Sequence, residues 1–185
     1  MAMERLKVNP AKVNERPFYH VVKRLFDIVA SACGLILLSP LFLLLVIKIR
    51  SEDGGPAFYS QERIGKNEKP FKMWKFRSMI VDADKMLDKL EDQNEIDGAM
   101  FKIKDDPRIT KIGHVIRKYS LDELPQLWNV LIGDMSLVGP RPPLPSEVEE
   151  YTNYDKQRLT VVPGCTGLWQ VAKRNEAGFD EMVWL

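Results

Sequence analysis

The chain has 185 residues, 45% hydrophobic and 29% charged, and its 27 basic and 26 acidic side chains leave a formal net charge of +1. That length suits one domain with a real core, and the apolar content excludes a disordered chain. A near-zero net charge provides no global attraction to nucleic acid, so no nucleic-acid partner is expected and any anion site must be local.

Residues 1–22 read as a basic N-terminal arm, with Arg5, Lys7, Lys12 and Arg16 available to anionic lipid headgroups or simply to water. Residues 23–50 read as a membrane helix. From Ile28 to Ile47 there are 20 residues without a charge, about 30 Å as a straight helix and so the thickness of a hydrocarbon core. No small-x-small cleavage site follows the run, which argues against a signal peptide.

Ser39-Pro40 lies near the middle of this run, where proline removes a helix hydrogen bond. Lys23 and Arg24 precede the run and Lys48 and Arg50 follow it, so the positive-inside rule draws both ends to the cytoplasm. A helix that bends at Ser39-Pro40 and returns satisfies both flanks. A kinked full span is the alternative, since a proline break is tolerated when neighbouring groups satisfy the backbone.

Residues 51–185 read as one cytosolic domain. Asp53-Gly54-Gly55-Pro56 is a turn into a short strand at 57–60, and residues 71–79 (FKMWKFRSM) form a second strand, so a hairpin is expected. Alternation puts Lys75 and Arg77 on the face of Phe71 and Met73, as edge gatekeepers or as cations aimed at an anionic ligand. Ile80 to Gln93 has helical spacing, with Asp82, Asp84, Asp88, Glu91 and Asp92 as a solvated face. Ile109 to Tyr119 is a basic helix carrying Lys111, Arg117 and Lys118.

Ser120-Leu121-Asp122-Glu123 fits the S-x-x-E capping box before the apolar LPQLWNVLI segment. Capping accounts for Ser120 and Glu123 but not for Asp122, nor for Pro125 in the opening turn. An ionised Asp122 there would serve as nucleophile or metal ligand, with Glu123 beside it to bind a divalent cation. Arg141 is bracketed by Pro140 and Pro142, which suits a fixed phosphate or carboxylate clamp. Residues 140–145 also have the PxxP spacing of a polyproline II ligand. Residues 163–171 (PGCTGLWQV) read as a tight loop.

Several chemistries are excluded by motif. There is no GxxxxGK[ST] and no GxGxxG, and His20 and His114 are the only histidines, which removes P-loop, dinucleotide-binding, HExxH and Cys/His zinc sites. Cys33 and Cys165 are distant and differently placed, so no disulfide framework is expected.

KFRSM (75–79), IRKYSLDELPQLWNVLIGDMSLVGPRP (116–142) and PGCTGLWQV (163–171), behind a broken apolar helix, resemble the bacterial sugar transferase family, the monotopic phosphoglycosyl transferases. The resemblance runs from about Arg24 to the end. It implies an α+β, mainly helical, membrane-associated monotopic domain, with an N-terminal re-entrant helix broken at Ser39-Pro40, amphipathic helices and a small β-hairpin. The implied enzyme moves a sugar 1-phosphate from a UDP-sugar to undecaprenyl phosphate and releases UMP, initiating exopolysaccharide, capsule or related glycan synthesis at the cytoplasmic face of the cell membrane.

By the same resemblance, Asp122 is the nucleophile that forms a phosphosugar-aspartyl enzyme, and Glu123 holds Mg²⁺. Lys75, Arg117, Arg141 and Arg174 contact substrate phosphates, with membrane lipid and a homo-oligomer as further partners. Family members commonly have Arg before the Pro-Gly, where this chain has Val162, and Gly before Arg-Asn, where it has Ala172-Lys173. Arg158, Lys173 and Arg174 are the candidates to compensate. The chain stops at Trp184-Leu185, short of where the family's domain usually ends, so truncation at the C-terminus is expected. Two other functions remain open on the sequence: a catalytically idle membrane scaffold recruiting glycan-assembly partners, and a soluble nucleotide-sugar enzyme.

Overall fold

A computed structural model describes residues 15–86, 103 and 106–172. The apolar run folds as two helices, α1 (Pro17–Leu37) and α2 (Ser39–Asp53), bent by 59° at Leu38. Ser39 and Pro40 open α2, where a proline loses no intrahelical bond. The Ser39 hydroxyl donates to the Ile36 carbonyl at 2.7 Å, satisfying an acceptor that the break frees. Among the described residues no single helix is long and apolar enough to cross a membrane; the bent pair together has the length and composition.

The strands follow. β1 (Phe58–Ile64) pairs antiparallel with β2 (Pro70–Phe76), with Tyr59 opposite Lys75 and Arg63 opposite Phe71. The expected hairpin forms, but β1 runs four residues beyond Ser60 and β2 ends at Phe76. Beyond it, Arg77 turns to Asp53, and Met79 makes an isolated bridge with Ile109. Of the helix expected over 80–93, residues 83–86 form a 3-10 turn, Ala83–Met86, and residues 87–93 lie outside the described residues.

Helix α3 (Lys111–Lys118) is capped by the Thr110 side chain, which accepts from Gly113 N–H at 3.0 Å. A 3-10 turn, Leu121–Glu123, leads to α4 (Gln126–Ile132), then β3 (Ser136–Val138), α5 (Pro145–Glu149), a 3-10 segment (Asp155–Thr160), β4 (Gly164–Thr166) and α6 (Leu168–Ala172). The tight loop expected at 163–171 is instead strand and helix. β4 pairs in parallel with β3, Ser136 opposite Gly164 and Val138 opposite Thr166. Gly139 and Gly164 explain how these backbones meet: a Cβ on Gly164 would lie 2.1 Å from Gly139 N. Among the described residues the fold is thus mainly helical with two small sheets, the second of which the sequence reading lacked.

Two apolar clusters hold this together. Leu45 and Ile49 of α2 pack with Ala57, Phe76 and Ile116, so the second leg of the bent pair is built into the domain core. Phe76 stacks on Phe58 and meets Phe42 edge to face. Met73, Val130 and Met135 form the second cluster, with Cys165 against it. α1 adds polar links. Buried Asp27 accepts from Leu137 N–H at 3.1 Å and Ser136 Oγ at 2.8 Å. Arg24 donates to the Val130 and Leu131 carbonyls at 2.6 and 2.8 Å, capping the C-terminal end of α4. The opposite side of the pair leaves Phe18, Val21, Val22, Leu25, Phe26, Leu43, Leu44 and Ile47 exposed.

Candidate active site

The chemistry-bearing residues gather around the short turn between α3 and α4. Ser120 sits in the left-handed region at φ 55° and its side chain makes no cap bond, so the expected capping box does not form. The physical reason is the tightness of the link: α3 ends at Tyr119, and Leu121 and Leu124 must both reach the α2 core. That leaves Glu123 free to turn outward. The arrangement that does resemble a box lies at α5, where Leu144 N–H donates to Glu147 Oε2 at 2.8 Å.

The turn places two adjacent carboxylates in different surroundings. Asp122 is buried, with 9% exposure. The Glu123 side chain is 39% exposed and its Oε1 accepts from Lys75 Nζ at 3.1 Å. Lys75 reaches it from β2, so this strand cation has an internal carboxylate partner. Burial raises the Asp122 pKa above its ordinary 3.8; Lys75 draws it down, Glu123 adds to the rise, and Arg117 draws it down again. Arg117, exposed on α3, acts on Asp122 through its charge.

Arg141 lies across a second basic group. Its guanidinium grips fully buried Glu147 through contacts of 2.9 to 3.3 Å, and its carbonyl accepts from Arg158 Nη2 at 3.3 Å. The Pro-bracketed arginine thus grips a carboxylate of its own chain. Pro142 and Pro143 are buried, so the 140–145 segment offers no free polyproline ligand.

Sequence reasoning missed Arg63 and Glu147. Buried Arg63 donates to the Pro142 carbonyl at 3.2 Å and to Gln61 Oε1 at 2.7 Å, while its Nε has no partner. Burial first, and then the Arg141 charge, lower its pKa to about 10; Glu147 opposes them. The hairpin, had it been extended to Ile64, would have put Arg63 opposite Phe71 and raised the question of a buried cation. Arg158, a candidate to compensate for Val162, does join this group, and burial lowers its pKa. Arg174 and Lys173 lie outside the described residues.

Cys165 is an inert thiol: burial, with the Glu123 and Asp27 charges, pushes its pKa up to about 12. Among the described residues, no group of three or more His, Cys, Asp or Glu side chains is placed to hold a metal. Asp122 and Glu123 still fit Mg²⁺ by chemistry, because that ion takes one or two carboxylates and completes its shell with water and substrate phosphate.

The family described as bacterial sugar transferase matches positions 18–185. A galactosyl transferase of Streptococcus agalactiae is 52% identical over 166 residues, covering 89% of this chain and 37% of that protein. An undecaprenyl-phosphate galactose phosphotransferase of Salmonella typhimurium is 47% identical over 184 residues, 97% of this chain and 38% of that protein. An exopolysaccharide production protein of Rhizobium meliloti is 44% identical over 172 residues, 91% of this chain and 76% of that protein. The chain thus spans under two-fifths of the first two relatives and about three-quarters of the third.

Proposed function

The chain belongs to the bacterial sugar transferase family, and from that premise we propose that it transfers a sugar 1-phosphate from a UDP-sugar to undecaprenyl phosphate at a membrane surface. The observation that carries the reading is the pairing of Glu123 with Lys75 at 3.1 Å beside a buried Asp122. A buried carboxylate next to a solvated, cation-paired one gives two acids with separate tasks.

Asp122, once ionised, attacks the β-phosphorus of the donor. An aspartyl oxygen–phosphorus bond forms, the bond from phosphorus to the oxygen bridging the two phosphates breaks, and UMP leaves with the electron pair. In the second half, a phosphate oxygen of the lipid attacks the same phosphorus and Asp122 departs as carboxylate. The reacting groups are all anions, so each step needs positive charge placed beforehand. Lys75 and Arg117 act on Asp122 through their charges. Arg141, held by Glu147 and by the Arg158 bond to its carbonyl, supplies a fixed fork for a phosphate. Mg²⁺, held by Glu123, would neutralise diphosphate charge when bound.

The bent α1–α2 pair carries the membrane part of this reading: a re-entrant hairpin with both ends at the cytoplasmic face. Its exposed apolar side would lie in lipid, and Leu45 and Ile49 tie it to the domain core. Cysteines introduced at Lys12 and Ser51 should be labelled from one side of the membrane; labelling from opposite sides would establish a full span instead.

Radiolabelled UDP-galactose and UDP-glucose test the chemistry. Wild type should give a labelled protein adduct and UMP, and Asp122→Asn neither. Transfer by the Asn variant at the wild-type rate would exclude Asp122 as nucleophile. A chain that binds partner proteins and never forms an adduct would be the scaffold.

A further inference from the structure

One cavity stands apart from the carboxylate pair. It has a volume of about 660 Å³ and lies between the first half of α1, the turn after β1 and the β3–β4 edge. Among the described residues, four cations line it, Arg16, Lys23, Arg24 and Lys66, against a single carboxylate, Asp27. That carboxylate is already engaged by Lys23, Ser136 and Leu137 N–H. Arg24 donates to two neutral carbonyls and, among the described residues, makes no ion pair. The walls between the cations are apolar, notably Met135, Val138 and Val162.

Asp122, Glu123, Lys75, Arg117 and Arg141 do not line this cavity. Among the described residues, a molecule in it touches none of the groups assigned to phosphoryl transfer, which speaks against either reacting substrate. What the lining does match is an anion joined to an apolar body. The same helix turns that supply Arg16, Lys23 and Arg24 carry exposed Val21, Val22, Leu25 and Phe26 alongside. On the membrane reading given above, on which this inference rests, those side chains meet acyl chains while the cavity opens at headgroup depth.

We propose that this cavity is a binding site for the headgroup of an anionic phospholipid. The phosphate sits among Arg16, Arg24 and Lys66, and the glycerol end lies against Val138 and Val162. A bound lipid would bridge α1 to the β3–β4 edge. Through Gly139 and Pro140, which line the cavity, it would brace the backbone just before Arg141.

Native mass spectrometry of the full chain in dodecyl maltoside tests this with phosphatidylglycerol and phosphatidylcholine as probes. One phosphatidylglycerol should be retained per chain and phosphatidylcholine should not. Arg16→Gln with Lys66→Gln should weaken retention about 30-fold, as two surface cations near anionic lipid predict. Lys66→Glu alone should act in the same direction, and neither variant should lose UMP release in detergent. Equal retention of the two lipids, or undiminished retention by these variants, would overturn the site. So would displacement of phosphatidylglycerol by UMP or undecaprenyl phosphate, which would make the cavity a substrate's. Because the readout is lipid binding, absence of transferase activity with normal retention would count against the proposed function and not against the site.

Discussion

Asn129 Oδ1 accepts the backbone N–H of Trp74 at 3.0 Å, and its Nδ2 donates to the Lys72 carbonyl at 2.7 Å. One side chain of α4 therefore completes the outer edge of β2 as a neighbouring strand would, right beside Lys75. Asn129 is fully buried, so its removal strands a donor and an acceptor at about 1–3 kcal/mol each. Asn129→Ala should cost about 2–5 kcal/mol in urea unfolding and should also weaken the Lys75–Glu123 contact. Unchanged stability would show that water replaces the amide.

Asp122 should show a conflict between stability and chemistry. Burial raises its pKa, so the folded chain holds this proton more tightly than the unfolded chain does. Ionising it then costs stability as pH rises through the native value. Asp122→Asn should be more stable than wild type at neutral pH, and the gain should vanish at pH values below the ordinary 3.8. Thermal melts over that range check the sign.

The same shift predicts a pH–rate profile. On the proposed mechanism attack requires the carboxylate, so the rate of adduct formation should fall as pH drops through a pKa above 3.8. Lys75 is the largest influence holding that pKa down. Lys75→Met should move the acid limb to higher pH as well as slowing the reaction. A slower rate with an unmoved limb would mean that Lys75 serves the substrate alone.

How far the sequence reaches can be judged from these residues. The break just before Ser39-Pro40 and the hairpin carrying Lys75 were legible because each rests on a local rule, proline in a helix and alternation in a strand. The adjacency of Asp122 and Glu123 was legible too, although their different surroundings were not. Asp122 is buried because Leu121 and Leu124 must reach α2 residues some 75 positions earlier in the chain, and no local pattern encodes that packing. The parallel pairing of β3 with β4 escaped for the same reason: three-residue strands carry no periodicity, and only the Gly139–Gly164 approach marks where they meet. The S-x-x-E pattern misled because Ser120 occupies a left-handed link that its neighbours impose.

Glu147 is the anionic centre of the second basic group. Fully buried, it faces Arg141 directly, and its charge also acts on Arg63 and Arg158. Removing one partner of a buried ion pair costs about 3–5 kcal/mol because the other charge stays behind. Glu147→Ala should lose about that much stability, whereas Glu147→Gln, which keeps an acceptor for Leu144 N–H, should lose less. In the Gln variant Arg141 is no longer pinned, and on the proposed function the KM for the UDP-sugar should rise. Equal losses from Ala and Gln would place the whole effect in charge.

The Asp53–Arg77 pair fixes the end of the bent helix pair to the strand that carries Lys75. Both Arg77 terminal nitrogens reach Asp53 at 2.5 Å, and Arg77 Nε donates to the Pro56 carbonyl at 2.6 Å. The Arg77 hydrogen bond is the main reason the Asp53 pKa falls from 3.8 to about 2, with burial opposing it. A depressed carboxylate contributes stability that is complete above the unfolded value and fades as pH falls through the folded one. The fold should therefore lose stability between about pH 4 and pH 2 in part through this residue. Asp53→Asn isolates the charge, because its amide oxygen still accepts from Gly55 N–H as Asp53 Oδ1 does at 3.0 Å. The Asp53 side chain is partly exposed, so the neutral-pH cost should be modest, about 1 kcal/mol. The acid dependence of the variant should be flatter than that of wild type. Parallel curves at every pH would show that Arg77 holds the strand end through the Pro56 carbonyl alone.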